Sequence, residues 1–177
     1  MRVITGLARG TKLQTLEGVS VRPTTEKVKE AIFSAIQFDI ECSSVLDLFA
    51  GSGQMGIEAL SRGAKSSVFV DNSDSSIKVI KNNLSKAHLE EKASVLKTDY
   101  SSFLATCKDL FDIIILDPPY YKNILFDAAN KASLFLNDNG IMICEHPTDI
   151  ELPDSFNECL LAKRYKYGKI YISLYRK

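Results

Sequence analysis

The chain's most reactive-looking sequence is Asp117-Pro118-Pro119-Tyr120, which follows its most hydrophobic run, Asp112-Ile-Ile-Ile-Leu116. Each proline fixes φ near −65°, and Pro119 keeps Pro118 out of the α region, so the turn is rigid and extended. An ionised Asp117 offers only hydrogen-bond acceptors, and the Pro118 carbonyl has no local N–H to satisfy it. A fixed pair of acceptors suits a donor with two hydrogens, an –NH2 group. An exocyclic amine on a nucleic-acid base is a poor nucleophile because its lone pair is delocalised into the ring. Hydrogen bonds from both N–H groups to Asp117 and Pro118 would draw the nitrogen towards a tetrahedral shape and free the lone pair. Pro119 stiffens that turn, and Tyr120 would stack on the base, a contact worth about 1–3 kcal/mol in single-stranded recognition.

A second constellation suggests what the amine would attack. Gly51-Ser52-Gly53-Gln54-Met55-Gly56 matches G-x-G-x-x-G between a strand pattern and a helix pattern, and Asp71 lies twenty positions after Gly51. On its own, the motif fits a dinucleotide. Asp47, Asp71, Asp99 and Asp117 nevertheless fall at or near the ends of four successive strand patterns, the edge where doubly wound sheets bind ligands. Four converging carboxylates repel a pyrophosphate and suit a sulfonium, an ammonium, ribose hydroxyls and an adenine amine. S-adenosylmethionine carries all of these. On this reading Asp71 accepts from the ribose hydroxyls, Asp99 from the adenine amine, and Asp47 supports the methionyl end. Gly51 and Gly53 let the backbone approach where a Cβ would block it.

The elements that must position these residues read as alternating strands and helices. Strands are expected at 45–50, 67–71, 93–97, 112–117 and 140–145, with helices at 54–62, from Ser73 through Ile77, Ile80 and Leu84, and at 123–136. Apolar strands separated by helices imply parallel pairing through right-handed crossovers, a doubly wound α/β sheet. The runs 158–166 and 169–176 meet at Tyr167-Gly168, which predicts an antiparallel hairpin closing the sheet. Residues 1–21 read as a small hairpin arm and 22–177 as the catalytic core of one domain. Pro23 and a threonine cap lead into a helix carrying Val28, Ile32, Phe33 and Ile36.

Among 177 residues the formal charge is zero, but it is unevenly spread. Residues 1–29 carry six basic against two acidic side chains, and residues 160–177 carry six basic and none acidic, leaving a middle of −10. Basic ends around an acidic centre fit a protein that grips phosphates at its rim, with Arg2, Arg9, Lys12 and Arg22 as candidate RNA contacts. No apolar run approaches a membrane span, the start lacks a secretory pattern, and a cytoplasmic location is expected. Cys42, Cys107, Cys144 and Cys159 show no C-x2-C pairing, so no metal site is expected.

Arg22-Pro-Thr-Thr-Glu26, Asp47-Leu-Phe-Ala-Gly-Ser-Gly53, Gly56-Ile-Glu-Ala-Leu-Ser-Arg-Gly-Ala64 and Asp117-Pro-Pro-Tyr120, in this order, resemble the bacterial RsmD family. The resemblance implies a class I methyltransferase fold, S-adenosylmethionine as cofactor, and methylation of a guanine N2 amine in 16S ribosomal RNA of an assembling small subunit. Adenine-N6 methylation of DNA or RNA shares the amine chemistry, although a DNA enzyme usually needs a separate recognition region. A protein glutamine-N5 methyltransferase typically opens the motif with Asn rather than Asp117. A non-catalytic RNA-binding scaffold is disfavoured by intact Asp71, Asp99 and Asp117.

Overall fold

The central strands are continuous apolar runs because both of their faces are covered. In the computed structural model, which describes residues 1–16, 26–119 and 124–177, β1 (Ser44–Asp47), β2 (Ser66–Asp71), β3 (Ala93–Lys97), β4 (Phe111–Leu116) and β5 (Leu136–Pro147) pair in parallel. Alternate residues divide between two cores. Val45, Ile113, Ile115, Ile141 and Ile143 face one, whereas Leu46, Ile114, Leu116, Met142 and Cys144 face the other. The first core is covered by α1 (Glu26–Ala35), α2 (Gln54–Ser61) and α3 (Asp74–Ala87); α4 (Tyr100–Thr106) and α5 (Ile124–Ala132) contribute to the second. Then β8 (Ile170–Arg176) runs antiparallel beside β5, followed by β7 (Cys159–Tyr167) and the short β6 (Ser155–Phe156), giving the order β3-β2-β1-β4-β5-β8-β7-β6. The expected doubly wound sheet with a closing antiparallel hairpin is therefore the observed architecture.

Several boundaries differ from the sequence expectation for identifiable reasons. β1 ends at Asp47 instead of continuing to Ala50, since Leu48 and Ala50 are buried but already turn into the glycine loop. The helix expected to reach residue 136 stops at Ala132, where a 3-10 turn over Ser133–Phe135 hands the chain to β5. Helix α4 was not anticipated: its seven residues carry a single buried side chain, Leu104, too little to produce a periodic pattern. The expected Pro23-threonine helix start, Arg22 and Tyr120 lie outside the described residues.

The amino-terminal arm is docked, not free. It is a tight turn with one antiparallel bridge between Arg2 and Lys12, closed by Val3 N–H to Thr11 O (3.0 Å) and Leu13 N–H to Met1 O (2.9 Å). Val3, Ala8 and Leu13 join the first core. Glu58 of α2, wholly buried, accepts from the backbone N–H of Ile4 (2.9 Å) and Thr5 (3.0 Å). The same carboxylate pairs with Lys29 (3.1 Å), also wholly buried, and with Arg62 (2.8 Å). Lys29 Nζ also donates to Arg2 O (2.8 Å). Burial lowers the Lys29 pKa from its ordinary value, and the neighbouring Glu58 opposes that shift.

Removing one member of a buried ion pair strands the other charge, at a cost of about 3–5 kcal/mol. Glu58→Ala should destabilise the protein by roughly that amount in urea unfolding. It should also expose the Ile4 and Thr5 amides to rapid hydrogen exchange. Stability within about 0.5 kcal/mol of wild type would mean that Glu58 does not hold the arm.

Candidate active site

Parallel pairing brings the aspartates to one edge. Asp47 and Asp71 are the last residues of β1 and β2, Asp117 directly follows β4, and Asp99 lies two residues beyond β3. The strand order reverses between β1 and β4, which opens a crevice at their carboxyl ends. A cleft of about 370 Å³ occupies it, lined by Gly51, Asp71, Asp99, Asp117 and Pro119. Leu16, Leu48, Phe49, Tyr100 and Ile124 add apolar wall, and Ser73, Ser75 and Thr98 add hydroxyls. Phe49 and Tyr100 pack with ring centroids 5.3 Å apart. No lysine or arginine lines the cleft among the described residues, so its field favours a cationic ligand and opposes a pyrophosphate.

Asp71 organises the glycine loop as well as facing the cleft. Its Oδ2 accepts from Gly51 N–H (2.9 Å) and its Oδ1 from Ser73 N–H (2.9 Å), tying the loop after β1 to the start of α3. Gly51 sits at φ 53°, and a Cβ there would meet almost nothing of the protein. That leaves the space before it for a ligand. Gly53 differs from expectation: at φ 75°, its Cβ would press on Ile80 (3.2 Å) and Ile57 (3.4 Å), inside the protein. Internal packing and left-handed backbone both favour glycine here. A Cβ at Gly56 would collide with the Phe69 ring, so the third glycine lets α2 lie directly on β2.

Asp47 departs from its expected place, whereas Asp99 lies on the cleft as expected. Asp47 does not line the cleft; it lies beneath it, buried, with Oδ2 accepting from Gly56 N–H (3.0 Å). Burial pushes its carboxyl up to about 7, with the nearby Asp71 charge adding to the rise. Asp99 lines the cleft but is exposed, and its Oδ1 caps α4 by accepting from Ser101 N–H and Ser102 N–H (both 3.0 Å). Bonds from Ser102 and Ser101 hold its carboxyl below the usual range. Asp117 is half-buried and Pro118 buried, while Pro119 is exposed at the cleft.

One residue that shapes the site, Asn83, carries no motif in the sequence. Asn83, wholly buried, accepts from Gln14 N–H (2.7 Å) and donates to Gln14 O (3.0 Å) and Ser52 O (2.9 Å). It therefore ties the arm to the glycine loop and delivers Leu16 to the cleft. Its signal was a polar residue inside the apolar stripe of α3, beside Ile80 and Leu84. His146, wholly buried on β5, is held by structural contacts: Nδ1 lies 3.1 Å from Pro147 O and Nε2 2.9 Å from Ser173 Oγ. A carbonyl can only accept, so the proton sits on Nδ1, and burial holds the ring's pKa below its ordinary value.

The arm's charges sit away from the cleft. Arg2 is exposed and paired with Glu26 (3.2 Å). Arg9 lines a separate hollow of about 340 Å³ with Lys27, Glu26 and Glu30, and Lys12 is exposed opposite Arg2. Among the described residues no group of three or more His, Cys, Asp or Glu could hold a metal, and no helix is long and apolar enough to cross a membrane.

Comparison with known proteins extends over the whole chain. A family model described as conserved hypothetical protein 95 matches residues 1–176. A Bacillus subtilis protein provisionally named as an rRNA methyltransferase, YlbH, is 37% identical over 182 residues, covering 100% of this chain and 99% of its own. Ribosomal RNA small subunit methyltransferase D of Haemophilus influenzae is 34% identical over 169 residues, covering 93% and 88%. A solved Escherichia coli structure, provisionally assigned as the methyltransferase yhhF, superposes with a TM-score of 0.90 at 30% identity, covering 100% of this chain and 97% of that one.

The Asp47 environment makes stability depend on pH. Because its folded pKa lies above the ordinary carboxylate value, folding takes up a proton. The resulting stabilisation is full below about pH 4 and is lost as pH rises through about 7. Asp47→Asn cannot ionise yet still accepts from Gly56 N–H. Between about pH 4 and about pH 8, urea unfolding should show the variant gaining up to about 4 kcal/mol relative to wild type. Parallel pH profiles would mean that Asp47 is ionised throughout.

Proposed function

The chain belongs to the conserved hypothetical protein 95 family, the RsmD family of methyltransferases, and from that premise we propose that it methylates the exocyclic N2 amine of a guanine in 16S ribosomal RNA. The observation that carries the reading is the position of Asp117 and Pro119, just after β4, on the cleft that Gly51 and Asp71 also line. The methylated RNA class rests on relatives named as ribosomal RNA small subunit methyltransferases; the N2 position rests on the amine-binding chemistry of Asp117 together with the family resemblance. An assembling small ribosomal subunit, in the cytoplasm, is the substrate particle in this reading.

S-adenosylmethionine fits the cleft by charge and by acceptor supply, with Asp71 and Asp99 facing it and an open approach at Gly51. When bound, it supplies an electrophilic methyl group on a sulfonium. Asp71 accepts hydroxyl hydrogen bonds while its backbone contacts keep the glycine loop in shape. The Asp117 carboxylate and the Pro118 carbonyl accept the two N–H bonds of the base amine and orient its lone pair. With its lone pair so aimed, the amine would accept the methyl group that the bound sulfonium supplies, and its surplus proton would leave to water. Positioning and preorganised dipoles supply the acceleration, and no strong base is needed. Tyr120 is assigned the stacking contact on the base, which must be unpaired to reach the acceptors.

Two measurements test this. Asp71→Ala should weaken S-adenosylmethionine binding by about 1.5–3 kcal/mol per charge-assisted bond lost, whereas unchanged affinity by calorimetry would remove Asp71 from the cofactor site. Asp117→Ala should lower turnover by roughly 10²–10³-fold, by analogy with loss of one preorganised polar partner, with cofactor affinity intact. Nucleoside mass spectrometry of small-subunit RNA after reaction with labelled cofactor should find N2-methylguanosine. Label in N6-methyladenosine would overturn the choice of base, and label in a C5-methylpyrimidine would overturn the amine mechanism.

A further inference from the structure

The antiparallel β7–β8 hairpin carries its turn back to the catalytic edge. In the parallel pairing, Cys144 lies opposite Leu116 at the end of β4, and β5 continues to Pro147. Tyr171 pairs with His146 and Ile170 with Pro147, while Tyr167 pairs with Ile170. Tyr167 and the Gly168 turn therefore stand at the same sheet edge as Asp117, about three strand spacings away, roughly 14 Å.

The six basic residues of this segment do not act alike. Arg164 donates to Ser173 Oγ (3.0 Å) and Leu152 O (3.0 Å), Arg176 holds Asp39 through both terminal nitrogens, and Lys177 donates to Leu136 O (3.2 Å). Among the described residues, Lys163, Lys166 and Lys169 enter no salt bridge, and all three are exposed. They surround half-buried aromatics. Along one face of β7, Lys163 Nζ lies 4.9 Å from the Tyr165 ring centre, and the Tyr165 and Tyr167 rings are inclined at 27° with centroids 6.4 Å apart. On the other face Lys166 lies over Tyr171 at 5.8 Å. Tyr165, Tyr167 and Ile170 pack on the α1-side core. The acidic Asp149 and Glu151 belong to a segment whose Ile150 and Leu152 pack on the opposite core.

We infer that the β7–β8 tip is a docking platform for single-stranded RNA flanking the methylated base, with Tyr165 and Tyr167 stacking bases and Lys163, Lys166 and Lys169 taking phosphates. This rests on the RNA-methylating function proposed above. Aromatic rings flanked by exposed cations free of salt bridges match the two repeating features of a nucleic-acid strand, π faces and phosphates. An apolar protein partner would leave three lysines without counter-charges. The row Lys163–Tyr165–Tyr167 ends at the catalytic edge, so a base stacked on Tyr167 extends it towards the cleft.

The test uses the full chain and a short fluorescein-labelled single-stranded RNA of mixed sequence, with the same RNA annealed to its complement as a second probe. Tyr167→Ala should weaken single-strand binding by about tenfold, with Tyr167→Trp restoring it. Duplex binding and S-adenosylmethionine affinity should be unchanged. Replacing Lys163, Lys166 and Lys169 together by Gln should reduce the salt slope of binding by about 2. Ultraviolet crosslinking of wild type to 4-thiouridine RNA, which needs no variant, should label the peptide holding Tyr165 and Tyr167. Binding within twofold of wild type in Tyr167→Ala, or crosslinks confined to other elements, would overturn the platform; if the protein still methylates ribosomal RNA, the proposed function stands without it. Binding that depends on Tyr167 in a protein that methylates no ribosomal RNA would keep the platform and overturn the proposed function.

Discussion

A carboxylate removed from water must find its donors inside the protein, and Glu58 does so by drawing three separate pieces of chain to one point. Lys29 comes from α1, Arg62 from the end of α2, and the Ile4 and Thr5 amides from the arm. Dropping the Lys29 contact in particular would leave two wholly buried charges without each other. Asn83 repeats the device with a neutral side chain, joining Gln14 to Ser52. The arm, α1 and the glycine loop thereby form one body, and the wall of the cleft includes Leu16 because of it.

Within that body the same residue type performs different work. Asp47 has lost its water and is held near neutrality; Asp99 remains exposed and is kept acidic by cap hydrogen bonds. Asp71 gives one oxygen to each of two backbone amides while still facing the cleft. Convergence at a sheet edge therefore does not make four carboxylates equivalent. Their solvation decides which carry charge and which shape the backbone that carries it.

The antiparallel end of the sheet has a related logic. β8 covers what would otherwise be an open edge of β5, and Arg164, Ser173 and His146 link β7, β8 and β5 through side-chain hydrogen bonds. Those bonds consume some of the basic residues of the carboxyl terminus and leave the lysines around the hairpin tip exposed. A cluster of positive charge in the sequence thus separates into structural and solvent-facing parts, aligned with the catalytic edge by strand register.

The alternating fold and its closing hairpin were legible in the sequence because periodicity and turn residues are local properties. So was the gathering of four aspartates: parallel strands must bring Asp47, Asp71, Asp99 and Asp117 to one edge of the sheet. Helix α4 escaped because a helix that buries one side chain leaves almost no periodic trace. What the tertiary structure alone decided was the distribution of burial. The space at Gly53 is closed by Ile80 of α3 as well as by the nearby Ile57, and Asp47 is buried outside the cleft lining. Nothing in the local sequence marks Glu58 and Lys29 as buried, since only the tertiary packing removes them from water. Spacing along the chain selects the side of the sheet to which a residue belongs; its exposure and partners depend on segments distant in sequence.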